Sequence, residues 1–318
     1  MEDSFVDLLQ SLTNDAEPVA EIHLAGLSDL DAARLGMFAD VWEQMSSDRR
    51  HSILEELRSA ADQKIELTFE AINRLGLEDS HSIVRSQAIE NLWESEDPGL
   101  VNKFLLRLKE DSAPEVRAAA GQALGVFVLI GETRELDPNL RNRCEESLLR
   151  AASSDASEEV RNACLQSLGY SSRPEVTDLI RKAYGADSER RLTAALRAMA
   201  RSANEIWTDL VLARLNDPSP HIRLEAVRAA GDIGVREGIP DLIELLEDVD
   251  ESVWHAAVWS LSQIGGPRAT KTLKKMAEEK LDEGERQLVL DAIDHLEFFE
   301  DTRDFIEFDP DHSQDLKA

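Results

Sequence analysis

The stretch DSAPEVRAAAGQALG, residues 111–125, decides the fold of this chain, because a close copy, DASEEVRNACLQSLG, stands at residues 155–169. The shared sequence motif, called the phrase below, is Asp-x-x-x-x-Val-Arg-x-x-Ala-x-x-x-Leu-Gly, with Cys in place of Ala in the second copy. Further copies begin at Asp79, Asp217 and Asp248, and two weaker ones near Ala186 and Lys280. A phrase that recurs every few tens of residues is typical of an array of small stacked units and not of one globular core.

The repeat has a regular step with one exception. Neighbouring copies start 31 or 32 residues apart, but Asp155 follows Asp111 by 44 residues. The additional residues fall at 127–139, a stretch that contains Gly131 and Pro138. The sequence leaves open whether this insertion is a binding loop or a spacer.

Within each copy the apolar residues have the period of a helix. Counting from the leading Asp as position 0, positions 5, 9, 12 and 13 are apolar and fall on one stripe of a helix. We predict that the leading Asp is the N-cap of this helix, because its carboxylate can accept hydrogen bonds from the first backbone N–H groups. A second apolar helical pattern precedes each phrase, often with proline near its start: Pro98, Pro174, Pro240 and Pro267.

Each unit is therefore a helical hairpin of about 31 residues, and a single hairpin cannot bury its apolar stripe alone. We predict an all-α fold, an α-solenoid (superhelix) of stacked antiparallel helical hairpins. The arginine at position 6 recurs in register, and we predict that it pairs with the leading Asp of a neighbouring unit. These arginines are Arg85, Arg117, Arg161, Arg223 and Arg286, and Trp254 takes the place in the repeat that starts at Asp248.

The phrase resembles the short HEAT repeats of the phycobilisome-lyase type. The resemblance covers roughly residues 79–296, and more loosely 31–78. It implies a stack of HEAT-like hairpins, and it offers one alternative function: a HEAT-type subunit of a lyase or isomerase that acts on a bilin or tetrapyrrole carried by an acceptor protein.

Four segments are expected along the chain. Residues 1–30 form an acidic N-terminal segment, residues 31–78 a helical cap of degenerate repeats, residues 79–296 the regular array, and residues 297–318 an acidic tail rich in Phe. The tail has two open interpretations. Its aromatic side chains fold back on the last repeat, or the segment docks on a partner or on the protein's own groove.

Composition excludes several classes of partner. The net charge is −29, about half of it at the two ends, so nucleic-acid backbones and anionic membranes are expected to repel the chain. The sequence has neither a long apolar run nor a basic leader segment, and it has two cysteines, Cys144 and Cys164. We predict a cytoplasmic protein in which both cysteines are small core residues, with a redox pair as the alternative.

Catalytic and metal-binding patterns are missing from the sequence. HEAT-like deoxyhypusine hydroxylases, which the chain resembles in repeat type, carry repeated His-Glu dipeptides that bind iron. None of the seven histidines is followed by Glu. We therefore predict no catalytic residue, no metal and no cofactor, and a protein that is not an enzyme.

The second helices of the hairpins are predicted to line a concave groove. Positions 5, 9 and 13 point into the core, so positions 4, 8 and 11 are expected to point into the groove. The candidate partner-binding residues on or beside this face are Gln166, Arg190, Arg197, His221, Arg228, His255 and Trp259. Arg and Trp are favoured at binding hot spots. The alternative is structural: Arg197 and Arg228 pair with acids such as Glu225, and Trp259 packs on the adjacent hairpin.

The favoured function is a non-catalytic scaffold or adaptor that binds a segment of a partner protein in this groove. A third possibility is autoinhibition, in which the acidic Phe-rich tail occupies the groove. The sequence does not identify the partner or the oligomeric state.

Overall fold

The computed structural model describes residues 2–14, 19, 21–134, 136–279 and 281–308, and every regular element in this part of the chain is a helix. The chain divides into two compact units, Met1–Ser171 and Ser172–Ala318. Each unit is described by itself below.

Unit 1 begins with two short helices and continues as helical hairpins. Its helices are α1 Glu2–Leu12, α2 Glu21–Gly26, α3 Ala32–Trp42, α4 Ser47–Gln63, α5 Glu70–Gly76, α6 Ser82–Asn91, α7 Val101–Glu110, α8 Pro114–Thr133, α9 Pro138–Ser154 and α10 Glu158–Leu168. The second helices of successive hairpins, α4, α6, α8 and α10, pack against one another in that order.

Unit 2 consists of four hairpins. Its helices are α11 Pro174–Tyr184, α12 Glu189–Ser202, α13 Thr208–Leu212, α14 Pro220–Ile233, α15 Ile239–Glu244, α16 Glu251–Ile264, α17 Pro267–Met276 and α18 Glu283–Phe308. Here too the second helices form a row, α12 on α14, α14 on α16 and α16 on α18. The all-α repeat architecture predicted from the sequence is confirmed.

The predicted apolar stripe forms the core. In α8, Val116, Ala120 and Leu124 are fully buried. The small residues of the stripe let neighbouring second helices approach closely: a Cβ atom on Gly121 would lie 2.7 Å from the Sγ atom of Cys164 on α10. Cys144, on α9, and Cys164 are both free and buried, and both lie in this core.

The insertion at 127–139 is mostly helical. It lengthens α8 to 20 residues and α9 to 17 residues, and Phe127 is fully buried. Arg141 of α9 donates a hydrogen bond from Nη1 to the carbonyl oxygen of Gly131, at 2.8 Å. These contacts tie the end of α8 to the start of α9.

The prediction that the leading Asp is an N-cap is wrong. Asp111 and Asp155 are the C-cap residues of α7 and α9, and each precedes the true N-cap of the next helix by two residues. Their Oδ1 atoms accept from the N–H groups of Ala113 and Ser157, at 3.1 and 2.8 Å. An Asp carboxylate that accepts a hydrogen bond two residues ahead closes an Asx-turn, so this residue shapes the loop between the two helices.

The predicted arginine ladder is confirmed for three repeats. Each guanidinium makes two hydrogen bonds, of 2.7–2.9 Å, to the leading Asp of the following repeat; the pairs are Arg85–Asp111, Arg117–Asp155 and Arg223–Asp248. Each of these arginines also donates to the carbonyl oxygen of the leading Asp of its own repeat, at 2.8–3.0 Å.

For Arg161 and Arg286 the ladder prediction is wrong. Arg161 donates to the carbonyl oxygens of Asp155 and Ala156, and Arg286 to those of Ala277 and Glu279. The ladder also begins one repeat earlier than the motif shows. Arg50 of α4 donates to Asp79 Oδ2 at 2.7 Å, although the residues around Arg50 do not match the phrase.

Helix α18 runs across the predicted start of the tail at residue 297 and continues to Phe308. Phe298 is 68% exposed. The packing predicted for Phe299, Phe305 and Phe308 lies outside the described side chains, and residues 309–318 lie outside the described residues. Among the helices that the structure describes, none is long and apolar enough to span a bilayer.

Candidate protein-binding face

The exposed side of the second helices of unit 2 carries the residues that occupy position 11 of each repeat. These are Arg197 on α12, Arg228 on α14, Trp259 on α16 and Asp291 on α18. Because the four helices pack side by side, these residues form a row across them. We call the surface defined by these four residues the α12–α18 face.

An ion-pair cluster joins the first two members of the row. Glu225 of α14 is only 4% exposed, and its Oε1 atom accepts a hydrogen bond of 2.7 Å from Arg197 Nη2. Arg228 Nη1 approaches the same oxygen at 3.4 Å. The bond to Glu225 raises the pKa of Arg197. Two guanidinium groups against one carboxylate leave an excess of positive charge at this end of the row.

Both arginines nevertheless remain accessible. Their side chains are 47% and 56% exposed for Arg197 and Arg228, respectively. A guanidinium has five N–H donors, and Arg228 uses one of them, in a long hydrogen bond, among the described residues. It can therefore donate to a carboxylate of a bound partner without giving up its contact with Glu225.

A cavity of about 430 Å³ opens between α14 and α16. Among its lining residues are three of the sequence-predicted candidates, Arg228, His255 and Trp259. Helices α14 and α16 meet closely beside it, since a Cβ atom on Gly231 would lie 2.7 Å from Ser260 Oγ. Every residue that lines the cavity lies on one of these two helices, so its shape does not depend on a loop.

Trp259 lies on the rim of this cavity and is 39% exposed. Its ring contacts the imidazole of His295 on α18, with centroids 4.8 Å apart. His295 Nδ1 lies 3.3 Å from Ser262 Oγ, which orients the imidazole. The indole is therefore held in place from the α18 side, and part of its surface is left for a ligand.

Both contacts of the structural alternative raised in the sequence analysis are present, since the arginines pair with Glu225 and Trp259 packs on the next hairpin. They do not bury the row, because Arg197, Arg228 and Trp259 each keep between about two fifths and three fifths of their surface exposed. Arg197 and Trp259 are held by neighbouring side chains and are still accessible, which is the arrangement expected of a preformed binding surface.

Three of the other candidates lie away from the cavity. Arg190 and His221 are exposed in the first turns of α12 and α14, and neither lines the cavity. Gln166 is half-buried on α10 and belongs to unit 1. His255 lines the cavity and lies 3.7 Å from Glu251.

The expectation that position 8 faces the groove is wrong. Its occupants in unit 2 include Ala194, Glu225 and Ala256, and all three are buried. Position 8 lies where neighbouring second helices touch, and there the residues must be small or, as for Glu225, paired. The sequence named Glu225 as an example of an acid that could pair with Arg197 and Arg228, but it did not predict that this residue would be buried between two arginines of different repeats.

Within the described part of the chain, no cluster of three or more His, Cys, Asp or Glu side chains is arranged to hold a metal ion. The features that distinguish the α12–α18 face are shape, exposed aromatic surface and the placement of charge.

Comparisons with known proteins agree with the fold. The model of the HEAT repeats family matches residues 208–294. No curated protein matches the sequence. Among solved structures, Kap95p from a complex with RanGDP is similar at a TM-score of 0.52 and 14% identity, over 92% of this chain and 46% of Kap95p.

Two further structures are similar. Kap95 in its complex with Nup1 has a TM-score of 0.50 and 15% identity, over 92% of this chain and 46% of that chain. The CpcE–CpcF complex of phycocyanin lyase from Nostoc sp. PCC7120 has a TM-score of 0.48 and 17% identity, over 73% and 95% of the two chains. The family match identifies residues 208–294 as HEAT repeats, and the repeated motif and the stacked hairpins extend the same architecture beyond that range.

Proposed function

We propose that this protein is a non-catalytic scaffold whose α12–α18 face binds a segment of a partner protein. The observation that carries the proposal is the row of accessible Arg197, Arg228 and Trp259 side chains beside one cavity. Arg and Trp are among the residue types that contribute most to protein–protein binding when they are enclosed by a partner. The Kap95 structures named above are complexes with proteins, and a protein is the partner that we propose here.

The face favours a segment of chain over a small molecule. The cavity is open and mixed in polarity, with the carboxylate of Asp232 and the amide of Gln263 hydrogen-bonded to each other at 3.0 Å across it. Small-molecule sites are mostly apolar and enclose most of the ligand. A chain laid across α12, α14, α16 and α18 would instead contact one exposed side chain on each helix.

Binding on this face requires little reordering of the protein. Arg197 is held by Glu225 and Trp259 by His295, so these contacts restrict their rotamers before a partner binds. Because ordering flexible side chains costs about 0.5–1.5 kcal/mol each on association, fixed side chains favour tighter binding.

Selection from a random peptide library tests the proposal. A displayed library of 12-residue peptides is selected on the wild-type protein and on the variant Arg228→Gln/Trp259→Ala, which retains the Arg197–Glu225 ion pair. The matched control, Ile206→Ala/Lys271→Gln, removes one exposed apolar side chain and one charge at sites outside the second helices. All three proteins are first compared by circular dichroism and thermal unfolding.

The proposal predicts peptides that are enriched on the wild-type and control proteins and lost on the face variant. Peptides that bind all three proteins equally would place binding on another surface and contradict the proposal. A library that yields no enriched peptide on the wild-type protein would also contradict it.

A further inference from the structure

Charge changes sign along the α12–α18 face. Arg197 and Arg228 share one carboxylate at the α12 end, the uncharged Trp259 follows on α16, and Asp291 is exposed on α18. The α18 helix carries more acid beyond Asp291, at the exposed Asp294 and Glu297. Lys274 of α17 approaches Glu297 at 2.7 Å and neutralises part of that charge, while Asp291 hydrogen-bonds only to the uncharged Gln287 among the described residues.

Other charged groups near the row do not reverse this order. Asp232 lies one turn from Arg228 and accepts a hydrogen bond from Gln263. His255 approaches Glu251 at 3.7 Å, and both side chains are well exposed. The positive end therefore lies at α12 and α14, and the negative end at α18. Exposed charges farther away than about 8 Å are largely screened at physiological salt, so the nearest charges dominate what the face recognises.

The spacing of the row matches an extended chain. Packed helices lie about 8–10 Å apart, and an extended chain advances about 3.3 Å per residue. One helix-to-helix step along the row therefore corresponds to about three residues of a bound segment. The two steps from Arg228 to Asp291 correspond to about six residues.

We infer that the face recognises an extended protein segment with an acidic residue, an apolar residue and a basic residue at intervals of about three. The inference rests on the proposed function and specifies its partner. The acidic side chain pairs with Arg228, and also with Arg197, which lies across Glu225. The apolar side chain packs on Trp259 in the cavity, and the basic side chain pairs with Asp291.

Segments with charge of one sign fit the face less well. A uniformly acidic segment meets the carboxylates of Asp291 and Asp294 at one end, and a uniformly basic segment meets Arg197 and Arg228 at the other. Like charges brought together at an interface are destabilising. The charge order therefore selects against both classes of segment, as well as against nucleic acids.

The test uses the same 12-residue peptide library with two single substitutions that act at opposite ends of the row. Arg228→Gln removes a positive charge and leaves Glu225 bonded to Arg197. Asp291→Lys reverses the charge at an exposed position on α18. Lys271→Gln on α17 is the matched control. Each substituted side chain is exposed, so the fold is expected to tolerate the change, and thermal unfolding verifies this.

Peptides selected on the wild-type protein are expected to show the acid–apolar–base order with about three residues per step, at least tenfold more often than the unselected library. On Arg228→Gln only the preference for the acidic residue is expected to disappear. On Asp291→Lys the basic residue is expected to be replaced by an acidic one. Lys271→Gln is expected to leave the motif unchanged.

The outcomes distinguish this inference from the proposed function. Enriched peptides that depend on Trp259 but show no charge order, or a motif that neither charge substitution alters, would overturn the inference and leave the scaffold function standing. Uniformly acidic peptides, including ones that resemble residues 297–318 of this chain, would overturn it in favour of a tail-like ligand. A library with no enriched peptide would overturn both.

Discussion

Arg223 of one repeat and Asp248 of the next form a two-point ion pair, with Nε–Oδ2 and Nη2–Oδ1 both 2.8 Å apart. The third nitrogen of the guanidinium, Nη1, donates to the carbonyl oxygen of Asp217 at 2.9 Å. The side chains of Arg223 and Asp248 are only 14% and 6% exposed. One side chain therefore joins the interhelix loops of two successive hairpins, and the same arrangement recurs at Arg85 and Arg117.

We predict that Arg223→Ala destabilises the protein by about 1.5–3 kcal/mol, because it leaves the carboxylate of Asp248 without its charged hydrogen-bond donor. Arg286→Ala is the matched control. Arg286 occupies the same motif position, but it makes only long hydrogen bonds, of 3.3–3.4 Å, to carbonyl oxygens. Urea unfolding is expected to show a clear loss for the first variant and a smaller one for the second. Equal losses would contradict the interpretation of the ladder.

The ladder also predicts a dependence of stability on pH. The hydrogen bond from Arg117 lowers the pKa of Asp155, and that from Arg223 lowers the pKa of Asp248. These groups bind protons more weakly in the folded state, so their stabilisation is present above the unfolded value of about 3.9 and is lost as pH falls through the folded pKa. The free energy of unfolding is expected to fall with decreasing pH in this window, and to fall less steeply in Asp248→Asn. Identical slopes would contradict the prediction.

The close contact of α14 and α16 predicts a strong effect at Gly231. A Cβ atom there would lie 2.4 Å from Gln263 Oε1 and 2.7 Å from Ser260 Oγ. We expect Gly231→Ala to destabilise the protein by about 1–3 kcal/mol, as overpacking does. Gly36→Ala, in α3 with nothing within 4 Å of the new atom, is expected to stabilise by about 0.5–1 kcal/mol. Thermal unfolding measures both. A neutral Gly231→Ala would show that the two helices can move apart at no cost.

Both cysteines are predicted to be unreactive in the folded protein. Burial raises the pKa of Cys144 to about 12 and raises that of Cys164 further, and the thiolate is the reactive species. Labelling with a thiol reagent at pH 8 is expected to be slow in the native protein and complete in denaturant. Rapid labelling of either residue in the native protein would contradict the burial described here.

The sequence predicted the hairpins and their core because these features repeat. Because the phrase recurs in register, its copies show which positions lie on one stripe of the helix. Val116, Ala120 and Leu124 lie on that stripe, and all three are buried. The role of the leading Asp was not predictable in the same way. An Asp placed shortly before a helix suits both an N-cap and an Asx-turn, and only the positions of Ala113 N and Ser157 N distinguish the two.

Position 8 shows a second limit of the sequence pattern. The helical period predicts which residues share one side of a helix, but it does not predict where the second helix of the neighbouring hairpin packs against it. Glu225 is polar and was expected on the exposed side, yet it is buried because Arg197 of the preceding repeat covers it. Arg50 was missed for a related reason: its repeat has lost the phrase while keeping the ion pair to Asp79.

The most direct test of the scaffold function is the affinity of the best library-selected peptide for the wild-type protein and for two single variants, Trp259→Ala and Ile206→Ala. Both residues are exposed, at 39% and 52%, but only Trp259 lies on the α12–α18 face. We predict that Trp259→Ala weakens binding at least tenfold, a loss of about 1.4 kcal/mol or more, and that Ile206→Ala changes it less than twofold. Equal affinity of all three folded proteins would show that the face does not bind the peptide.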